Sequence, residues 1–454
     1  MKITTYFNIL LILFLCELNI SAQNDDSNIL KTKFEKLIVE QYKSTDPGCV
    51  ILVALKGKVI YQKAFGMANL ELNVPMDTNM ILGIGSITKQ FTAVAILQLV
   101  EQGKLSLDDD ITKFIKDYPT HGHSISVRHL LSHTSGIKSF GDIDGWNANK
   151  ERIDFSVDEL INEFKNQPME FAPGTKWSYC NSGYTLAGKI IEIVSGMSYP
   201  NYLKEKLFKP TEMSNTYYGN NQKVIKNRAY PYQAVNGEMI NAEYVSISQR
   251  FSSGSIITTA GDLLKWNEAL KRNILINPKS LEIARTEFKL NDGTGTGYGL
   301  GWNISDVNGS IAYEHAGSIN GYRSNAIYLP NEDVFVVILT NRDYDSPSDL
   351  SVKIAALIIG KPYQWKPTYK PTNLLEYKGE YLNSQNENRN IIIESEQLIY
   401  KRNNGDKIKL IPVAKDKFQF DQSFITFKFL RDKKGNIYRV EIKNRIPPVE
   451  YWKK

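Results

Sequence analysis

Strand-forming patterns at both ends of the first 360 residues constrain the fold of this chain more than any other feature. Residues 48–55 form an uninterrupted apolar run, and a Lys-Gly turn joins it to a second run over 58–65, which predicts a β-hairpin. A run that is apolar throughout is typical of a strand covered on both faces. Residues 322–329 and 334–340 give strand signals near the other end. We therefore predict one α/β domain over residues 27–360, whose sheet draws strands from both ends around a helical insertion.

Apolar residues recur at helical spacing in several segments between and beside these strands. The predicted helices cover residues 27–43, 86 to about 103, 126–133, 157–164, 184–194, 260–270 and 350–359, and a further strand is predicted over 311–315. The expected architecture is a sheet flanked by helices, with a helical subdomain inserted into the middle of the chain.

The last 94 residues have a different character. Three prolines fall within residues 361–371, and we interpret 361–373 as a linker. Short alternating runs separated by Asn-, Gly- and Asp-containing turns follow, and they predict a small antiparallel β-domain over 374–454. From Lys361 onward there are 20 Lys and Arg residues against 11 Asp and Glu, so weak contact with anionic envelope material is one interpretation of this domain. An ordinary solvated face is the other.

The first 22 residues have the pattern of a secretory signal. Lys2 precedes an apolar run over 7–15, and Ser-Ala at 21–22 fits a cleavage site, so we expect an exported, periplasmic or extracellular protein. Lipidation at Cys16 is disfavoured because bulky Leu15 stands where a small residue is needed. The run is too short to span a bilayer, and no later stretch reaches that length.

Cleavage after residue 22 would leave Cys49 and Cys180 as the cysteines of the mature chain. Two cysteines in a chain of this size do not make a disulfide framework. Buried free thiols are the expectation, and a single bridge between them is the alternative.

Ser86 and Lys89 stand at the head of a strongly apolar helical pattern. Positions i and i+3 share one face of a helix, so the hydroxyl and the amine can meet. A serine needs a base before it becomes a nucleophile, and a lysine held away from water can lose its charge and take that role. A four-letter pattern occurs by chance in long chains, so the other parts of a site have to come from elsewhere in the sequence.

Two later stretches supply candidates for those parts. Tyr179 and Asn181 follow a Pro-Gly turn on a loop before a predicted helix. A tyrosine near cations can have a lowered pKa and carry protons, and an asparagine can orient the lysine and a substrate amide. His315, at the end of a predicted strand, can polarise a substrate or pass a proton, and Gly317 lets a ligand approach the backbone.

Ser86-x-x-Lys89, Tyr179-x-Asn181 and His315-x-Gly317 together resemble, in order and spacing, the motifs of the serine β-lactamase and penicillin-binding-protein superfamily. Within it the chain is similar to the branch that contains class C β-lactamases, D-aminopeptidases, DD-peptidases and related esterases. Supporting stretches are found at 130–136, 171–174, 253–262 and 298–302, and the tail from 375 resembles the small β-domain often appended in this branch. The resemblance implies a β-lactamase-like fold over about residues 30–360.

The resemblance also implies roles for the first four residues. Ser86 would be the acylated nucleophile and Lys89 its general base. Tyr179 would share proton transfer with Lys89 and assist deacylation. Asn181 would hold the substrate amide and the lysine.

The third motif departs from the class C pattern. His315 stands where those enzymes usually carry a lysine, so a fixed cation is replaced by a group expected to titrate near neutrality. This weakens the expectation of efficient β-lactam hydrolysis. By the same resemblance the backbone N–H groups of Ser86 and Ser318 would form the oxyanion hole, with Gly317 between the histidine and the serine.

The sequence thus predicts a serine hydrolase that acts through an acyl-enzyme on amide or ester bonds of small molecules or peptides, without a metal or organic cofactor. A non-catalytic receptor that binds peptides or envelope polymer in the same cleft is an alternative. A zinc hydrolase using His129 and His133 is another, but Leu130 stands where a His-Glu-x-x-His motif has its glutamate, and we interpret His133 as a core residue. No α/β-hydrolase elbow, phosphate loop or dinucleotide fingerprint is present, and no nucleic-acid partner is expected.

Overall fold

The computed structural model describes residues 30–382, 388–401, 407–446 and 450–454. The predicted signal, with Cys16, lies outside these residues. Within the described part of the chain no helix has both the length and the apolar character needed to cross a membrane.

Helices and strands alternate irregularly along the chain. The α-helices are α1 (30–39), α2 (Thr88–Glu101), α3 (Val127–Leu131), α4 (Ala148–Glu151), α5 (Val157–Phe164), α6 (Asn181–Ser195), α7 (Tyr199–Tyr202), α8 (Phe251–Gly254), α9 (Ala260–Lys271), α10 (Pro278–Ala284) and α11 (Pro347–Ile358). Short 3-10 turns cover Gly85–Ile87, Ile111–Lys113, Phe140–Asp142 and Ile247–Gln249, and a π-helical turn covers Leu203–Phe208.

The strands fall into a first group that ends near residue 340 and a second group in the tail. The first group is β1 (Cys49–Leu55), β2 (Lys58–Phe65), β3 (Met67–Asn69), β4 (Val74–Pro75), β5 (Leu82–Gly83), β6 (Tyr217–Tyr218), β7 (Tyr232–Val235), β8 (Glu238–Asn241), β9 (Ile256–Thr258), β10 (Asn303–Val307), β11 (Ser310–Ile319), β12 (Tyr322–Leu329) and β13 (Val334–Thr340). The second group is β14 (Gly379–Leu382), β15 (Asn388–Glu394), β16 (Gln397–Lys401), β17 (Lys407–Ala414), β18 (Lys417–Phe420), β19 (Thr426–Arg431), β20 (Ile437–Lys443) and β21 (Glu450–Lys453).

A six-stranded antiparallel sheet, counted over the described residues, organises the larger part of the molecule in the order β10-β11-β12-β13-β1-β2. The first hairpin joins the later strands where β1 pairs with β13, with Cys49 opposite Thr340 and Leu55 opposite Val334. This confirms the prediction that the sheet draws on both ends of the domain.

The sheet is covered on both faces, as the apolar pattern of β1 predicted. Val50 and Leu52 belong to a large apolar cluster that also contains α2, α6 and α9, whereas Ile51 and Val53 belong to a second cluster with α1 and α11. Alternate residues of a strand point to opposite faces, so an all-apolar strand needs cover on each side. The sheet thus lies between α1 and α11 on one face and the helices of the large cluster, with α9 in direct contact with β1 and β13, on the other.

The tail forms a closed barrel in which β14 to β21 are neighbours in sequence order, and β14 closes on β21 through the pair Leu382 and Lys453. Closure removes the edges that an open sheet of this size would expose. Aromatic side chains fill the interior, including Phe418, Phe427 and Trp452. The antiparallel β-domain is confirmed, although the sequence pattern did not identify its last strand.

The barrel contacts the edge of the six-stranded sheet through Arg445. Its backbone oxygen accepts from Asp306 N at 3.0 Å, and its guanidinium pairs with Glu314 of β11. Both side chains of this ion pair are buried, at 9% and 4% exposure. The linker residue Trp365 also donates its indole N–H to the Ser423 oxygen at 2.9 Å.

Three sequence-based boundaries are wrong in ways that affect the site. The helix predicted over 126–133 ends at Leu131, because His133 adopts a left-handed backbone with φ +61°. The strand predicted to end at His315 continues to Ile319, since pairing with β12 holds it extended. Asn181 is the first residue of α6 rather than part of the preceding loop. Cys49 and Cys180 are both free and buried, as expected.

Candidate active site

Ser86 and Lys89 meet at the junction between the 3-10 turn Gly85–Ile87 and α2. The Lys89 Nζ lies 3.1 Å from the Ser86 Oγ, so the i, i+3 spacing brings the two groups together as predicted. Ser86 is half-buried, whereas the Lys89 side chain is fully buried. The Ser86 hydroxyl is therefore partly accessible to solvent, whereas the Lys89 amine behind it is not.

Lys89 has two further partners, and both can only accept. Its Nζ donates to the Asn181 Oδ1 at 2.8 Å and to the Ser253 backbone oxygen at 2.8 Å. A neutral amine has two N–H bonds and one lone pair. If the two N–H bonds serve these acceptors, the lone pair faces the Ser86 hydroxyl, which is the orientation a general base requires.

The surroundings of Lys89 favour that neutral form. Burial lowers the pKa of its amine well below the ordinary lysine value, and the positive charge of Arg250 lowers it further. Within the described residues no carboxylate forms an ion pair with Lys89. The arrangement can hold an unprotonated amine beside a serine at neutral pH.

Tyr179 lies beside both Ser86 and Lys89. Its ring centroid is 4.7 Å from the Lys89 Nζ, and its hydroxyl forms a hydrogen bond with Ser86. The expected lowering of its pKa is wrong: burial raises the pKa of the Tyr179 hydroxyl well above the ordinary value, and the hydrogen bond to Ser86 offsets this only in part. Tyr179 therefore keeps its proton at neutral pH, in a position where it can give that proton to a group at Ser86.

Asn181 begins α6 directly after Cys180, the residue at the N-cap. Its backbone N–H donates to the Ser139 Oγ at 3.2 Å, which fixes the start of the helix. Its side-chain oxygen accepts from Lys89, as the resemblance implied, and it is half-buried at the edge of the site.

His315 lies within β11 and is 3% exposed. Its Nδ1 donates to the Ala316 oxygen at 2.6 Å, so its Nε2 carries no proton and accepts from the Tyr298 hydroxyl at 2.9 Å. Burial, together with the nearby Lys89, lowers the pKa of His315 to about 3. The expectation that it titrates near neutrality is wrong, because burial disfavours the charged form of the ring.

The strand that carries His315 runs against the backbone before Ser86. A Cβ on Gly317 would fall 1.9 Å from the Ile84 oxygen, and one on Gly85 would fall 2.6 Å from the Ser318 N. Gly85 also has φ +48°, which favours glycine. Both glycines are thus needed for close approach, and they bring the backbones of residues 84–86 and 317–318 side by side, as an oxyanion hole between them requires.

Four residues contribute to the site although the sequence indicated no role there for them, and one of these, His133, was predicted only as a core residue or a zinc ligand. Ser253 supplies the oxygen that accepts from Lys89, and Tyr298 holds His315. Arg323 donates to the Ser318 hydroxyl, and the Nδ1 of His133 accepts from the backbone beside Tyr179. Three of the four lie in the supporting stretches 130–136, 253–262 and 298–302. The family resemblance therefore included these residues, but it did not indicate their contacts in the site.

The zinc interpretation finds no geometric support. Across the described ranges no group of three or more His, Cys, Asp or Glu side chains is arranged to hold a metal ion. His129 closes the start of α3 by accepting from the Ser126 N–H through its Nδ1, whereas His133 lies beyond the end of that helix. The interpretation of His133 as a packed and hydrogen-bonded core residue is confirmed.

Comparison with known proteins gives a consistent result. A family model described as Beta-lactamase matches residues 34–361. Penicillin-binding protein 4* of Bacillus subtilis is 28% identical in an alignment of 417 positions that covers 86% of this chain and 90% of that protein. This similarity therefore extends beyond the family match into the tail.

Solved structures share the fold. An octameric penicillin-binding protein homologue from Pyrococcus abyssi superposes with a TM-score of 0.65 and 26% identity, over 94% of this chain and 99% of that one. The D-amino acid amidase from Ochrobactrum anthropi SV3 superposes with a TM-score of 0.62 and 23% identity, over 74% of this chain and 96% of that one. The fold is therefore that of the β-lactamase and penicillin-binding-protein group, with a closed barrel at its C-terminus.

Proposed function

The chain belongs to the Beta-lactamase family, and from that premise we propose that it is a serine hydrolase that forms an acyl-enzyme on Ser86 and cleaves amide or ester bonds. The observation that carries the proposal is the buried Lys89 amine, which lies 3.1 Å from the Ser86 Oγ with acceptors on its other two contacts. This is the arrangement that activates a serine.

The first half of the reaction transfers an acyl group to the enzyme. Lys89 accepts the Ser86 proton while the Ser86 oxygen bonds to the substrate carbonyl carbon. The carbonyl oxygen becomes an oxyanion that accepts from the backbone N–H groups of Ser86 and Ser318. Tyr179, which keeps its proton, donates it to the leaving amine or alkoxide as the bond to that group breaks, and regains one from Lys89.

The second half releases the acid. A water molecule gives a proton to the Lys89 and Tyr179 pair as its oxygen attacks the acyl carbon, and the Ser86 oxygen leaves with a proton from Lys89. Protons balance over the cycle, because the substrate bond takes up one water molecule. No metal or organic cofactor takes part in these steps.

The proposed substrates are peptides or amides of D-amino acids of the cell-wall type and small esters. The neutral state of His315 supports this choice over β-lactams, because that position does not provide the cation that would hold a β-lactam carboxylate. Penicillin-type compounds are proposed to acylate Ser86 without efficient turnover. Since residues 1–22 have a signal-like pattern, we place this chemistry outside the cytoplasm.

The test is labelling of the purified chain with a fluorophosphonate, read by intact mass, beside turnover of a nitrophenyl ester and a D-amino acid amide. We expect one label per chain at Ser86, and loss of both labelling and turnover in Ser86→Ala. Ser214→Ala replaces an exposed serine far from Lys89 in sequence and is the matched control, with full labelling and turnover. Turnover that survives in Ser86→Ala would overturn the proposal.

A further inference from the structure

His133 is fully buried beneath the candidate site, yet no step of the proposed reaction uses it. Its ring centroid lies 4.2 Å from that of Tyr179, with an angle of 35° between the ring planes. The rings of Tyr298 and Tyr184 lie at 4.7 and 5.1 Å. A polar ring this deep inside an aromatic cluster needs a reason to be there.

The hydrogen bonds of His133 give that reason. Its backbone oxygen accepts from the Ser178 N–H at 2.9 Å, and its Nδ1 accepts from the Cys180 N–H at 3.0 Å. His133 therefore holds the backbone N–H groups of both neighbours of Tyr179, while its ring packs against the Tyr179 ring.

The segment that contains His133 continues this pairing away from Tyr179. The Thr134 oxygen accepts from the Gly174 N–H at 2.9 Å, and the Gly136 oxygen accepts from the Glu170 N–H at 2.8 Å. Gly136 has φ +74°, and a Cβ there would fall 1.9 Å from the Phe171 oxygen. Residues 133–136 thus pair along the loop that precedes α6 and hold its backbone in place.

We propose that His133 is the positioning residue for Tyr179, acting as a neutral Nε2–H imidazole whose Nδ1 lone pair fixes the peptide between Tyr179 and Cys180. The proposal rests on the proposed function, since it assigns Tyr179 a proton to deliver. The Nε2–H finds no hydrogen-bond partner among the described residues and lies within the aromatic cluster. Burial, with the nearby Lys89 and His315, also lowers the pKa of His133 well below the ordinary value, which keeps the lone pair available.

The choice of substitutions follows from the geometry. In His133→Asn the Oδ1 stands where Nδ1 stood and can still accept, and asparagine tolerates the left-handed backbone at φ +61°. In His133→Leu a methyl group replaces the acceptor, and the Cys180 N–H loses its partner. His129→Leu is the matched control, because the His129 Nδ1 also accepts a backbone N–H, from Ser126 at 3.3 Å, but lies outside the site.

We expect His133→Leu to lower kcat for the nitrophenyl ester about 100-fold with KM nearly unchanged, since misplacing one group by about 1 Å has an effect of that order. His133→Asn should recover most of the loss, and His129→Leu should keep the wild-type kcat. Equal losses in the Asn and Leu variants, or a wild-type kcat in His133→Leu, would overturn the proposal.

A double-mutant cycle separates positioning from general weakening of the fold. In a Tyr179→Phe background His133→Leu should cause no further loss of kcat, because its effect passes through Tyr179. The same loss in both backgrounds would show that His133 acts elsewhere. If Ser86→Ala retained turnover, the proposed function itself would fail, whatever the His133 variants do.

One measurement on the wild-type protein does not depend on any variant folding. Nitrogen-15 NMR of the histidines should show His133 as the neutral Nε2–H tautomer with no titration at neutral pH. A protonated Nδ1 would contradict the hydrogen bond from Cys180 and overturn the proposal.

Discussion

Lys89 and His315 are two buried bases of the same site, and they differ in whether a nitrogen lone pair remains free to accept a proton. Burial is the main cause of the lowered pKa in both, so the neutral form is favoured in both. The other partners of Lys89 accept its N–H bonds and leave the lone pair facing Ser86. In His315 the single N–H serves the neighbouring carbonyl and the lone pair serves Tyr298. Burial favours the neutral form of a group, but the group also needs a free lone pair if it is to act as a general base.

The largest effect should come from removing the amine with the free lone pair. Lys89→Met keeps a long side chain that cannot accept a proton, and we expect kcat/KM for the nitrophenyl ester to fall by about three to four orders of magnitude. Fluorophosphonate labelling should slow in parallel. Lys104→Met, at an exposed position just past α2, is the control. Retained labelling in Lys89→Met would contradict this comparison, since Lys89 would then be no more of a general base than His315.

Changing the charge beside Lys89 should have the next largest effect. Asn181→Asp would place a carboxylate at the position that now accepts from the Lys89 Nζ at 2.8 Å. The carboxylate raises the pKa of the amine and converts the base to ammonium, so we expect a loss of about 10- to 100-fold near neutral pH. The acid limb of the kcat/KM profile should move to higher pH. An unmoved limb would mean that Lys89 does not control it.

The lowered pKa of Lys89 also predicts how stability depends on pH. Its amine is neutral when folded and protonated when unfolded, so unfolding takes up a proton and the free energy of unfolding rises with pH until the ordinary lysine pKa is reached. In the pH range between its folded and its ordinary pKa, the difference between wild type and Lys89→Met should change in favour of wild type, with a slope that approaches about 1.4 kcal/mol per pH unit. Urea unfolding at several pH values measures this. Parallel curves would show that Lys89 is charged in the native protein.

The smallest effect should come from changes around His315, the base whose lone pair is already engaged. Tyr298→Phe removes the O–H that donates to the His315 Nε2, and we expect kcat/KM to fall by less than about tenfold, as for one neutral hydrogen bond. No new ionisation should appear between pH 6 and 8, because burial still disfavours the charged ring. A new limb in that range would show that Tyr298 alone keeps His315 neutral.

Local patterns predicted most of the scaffold because they depend on residues near one another. β13 and α5 have the bounds that their apolar periodicity indicated, and β1 is covered on both faces as its uniform composition required. The left-handed turn at His133, by contrast, depends on the loop that it holds, about 40 residues later in the chain. Periodicity carries no information about such a partner, and the helix was predicted to run too far.

The candidate site divides in the same way. The meeting of Ser86 and Lys89 follows from helix geometry and could be predicted from four letters. The protonation states of Tyr179 and His315 could not, because they depend on burial, and burial is set by packing between distant segments. Both errors had one cause: the groups were assigned the solution behaviour of exposed side chains.

The ion pair between Arg445 of the barrel and Glu314 of the sheet constrains how this protein can change over evolutionary time. The Arg445 guanidinium neutralises Glu314, the residue before His315, inside the contact between barrel and sheet. Replacing Arg445 alone, with the barrel still in place, would leave this carboxylate buried with nothing to balance it, and removing one partner of a buried ion pair typically costs several kcal/mol. Arg445 and Glu314 are therefore expected to change together.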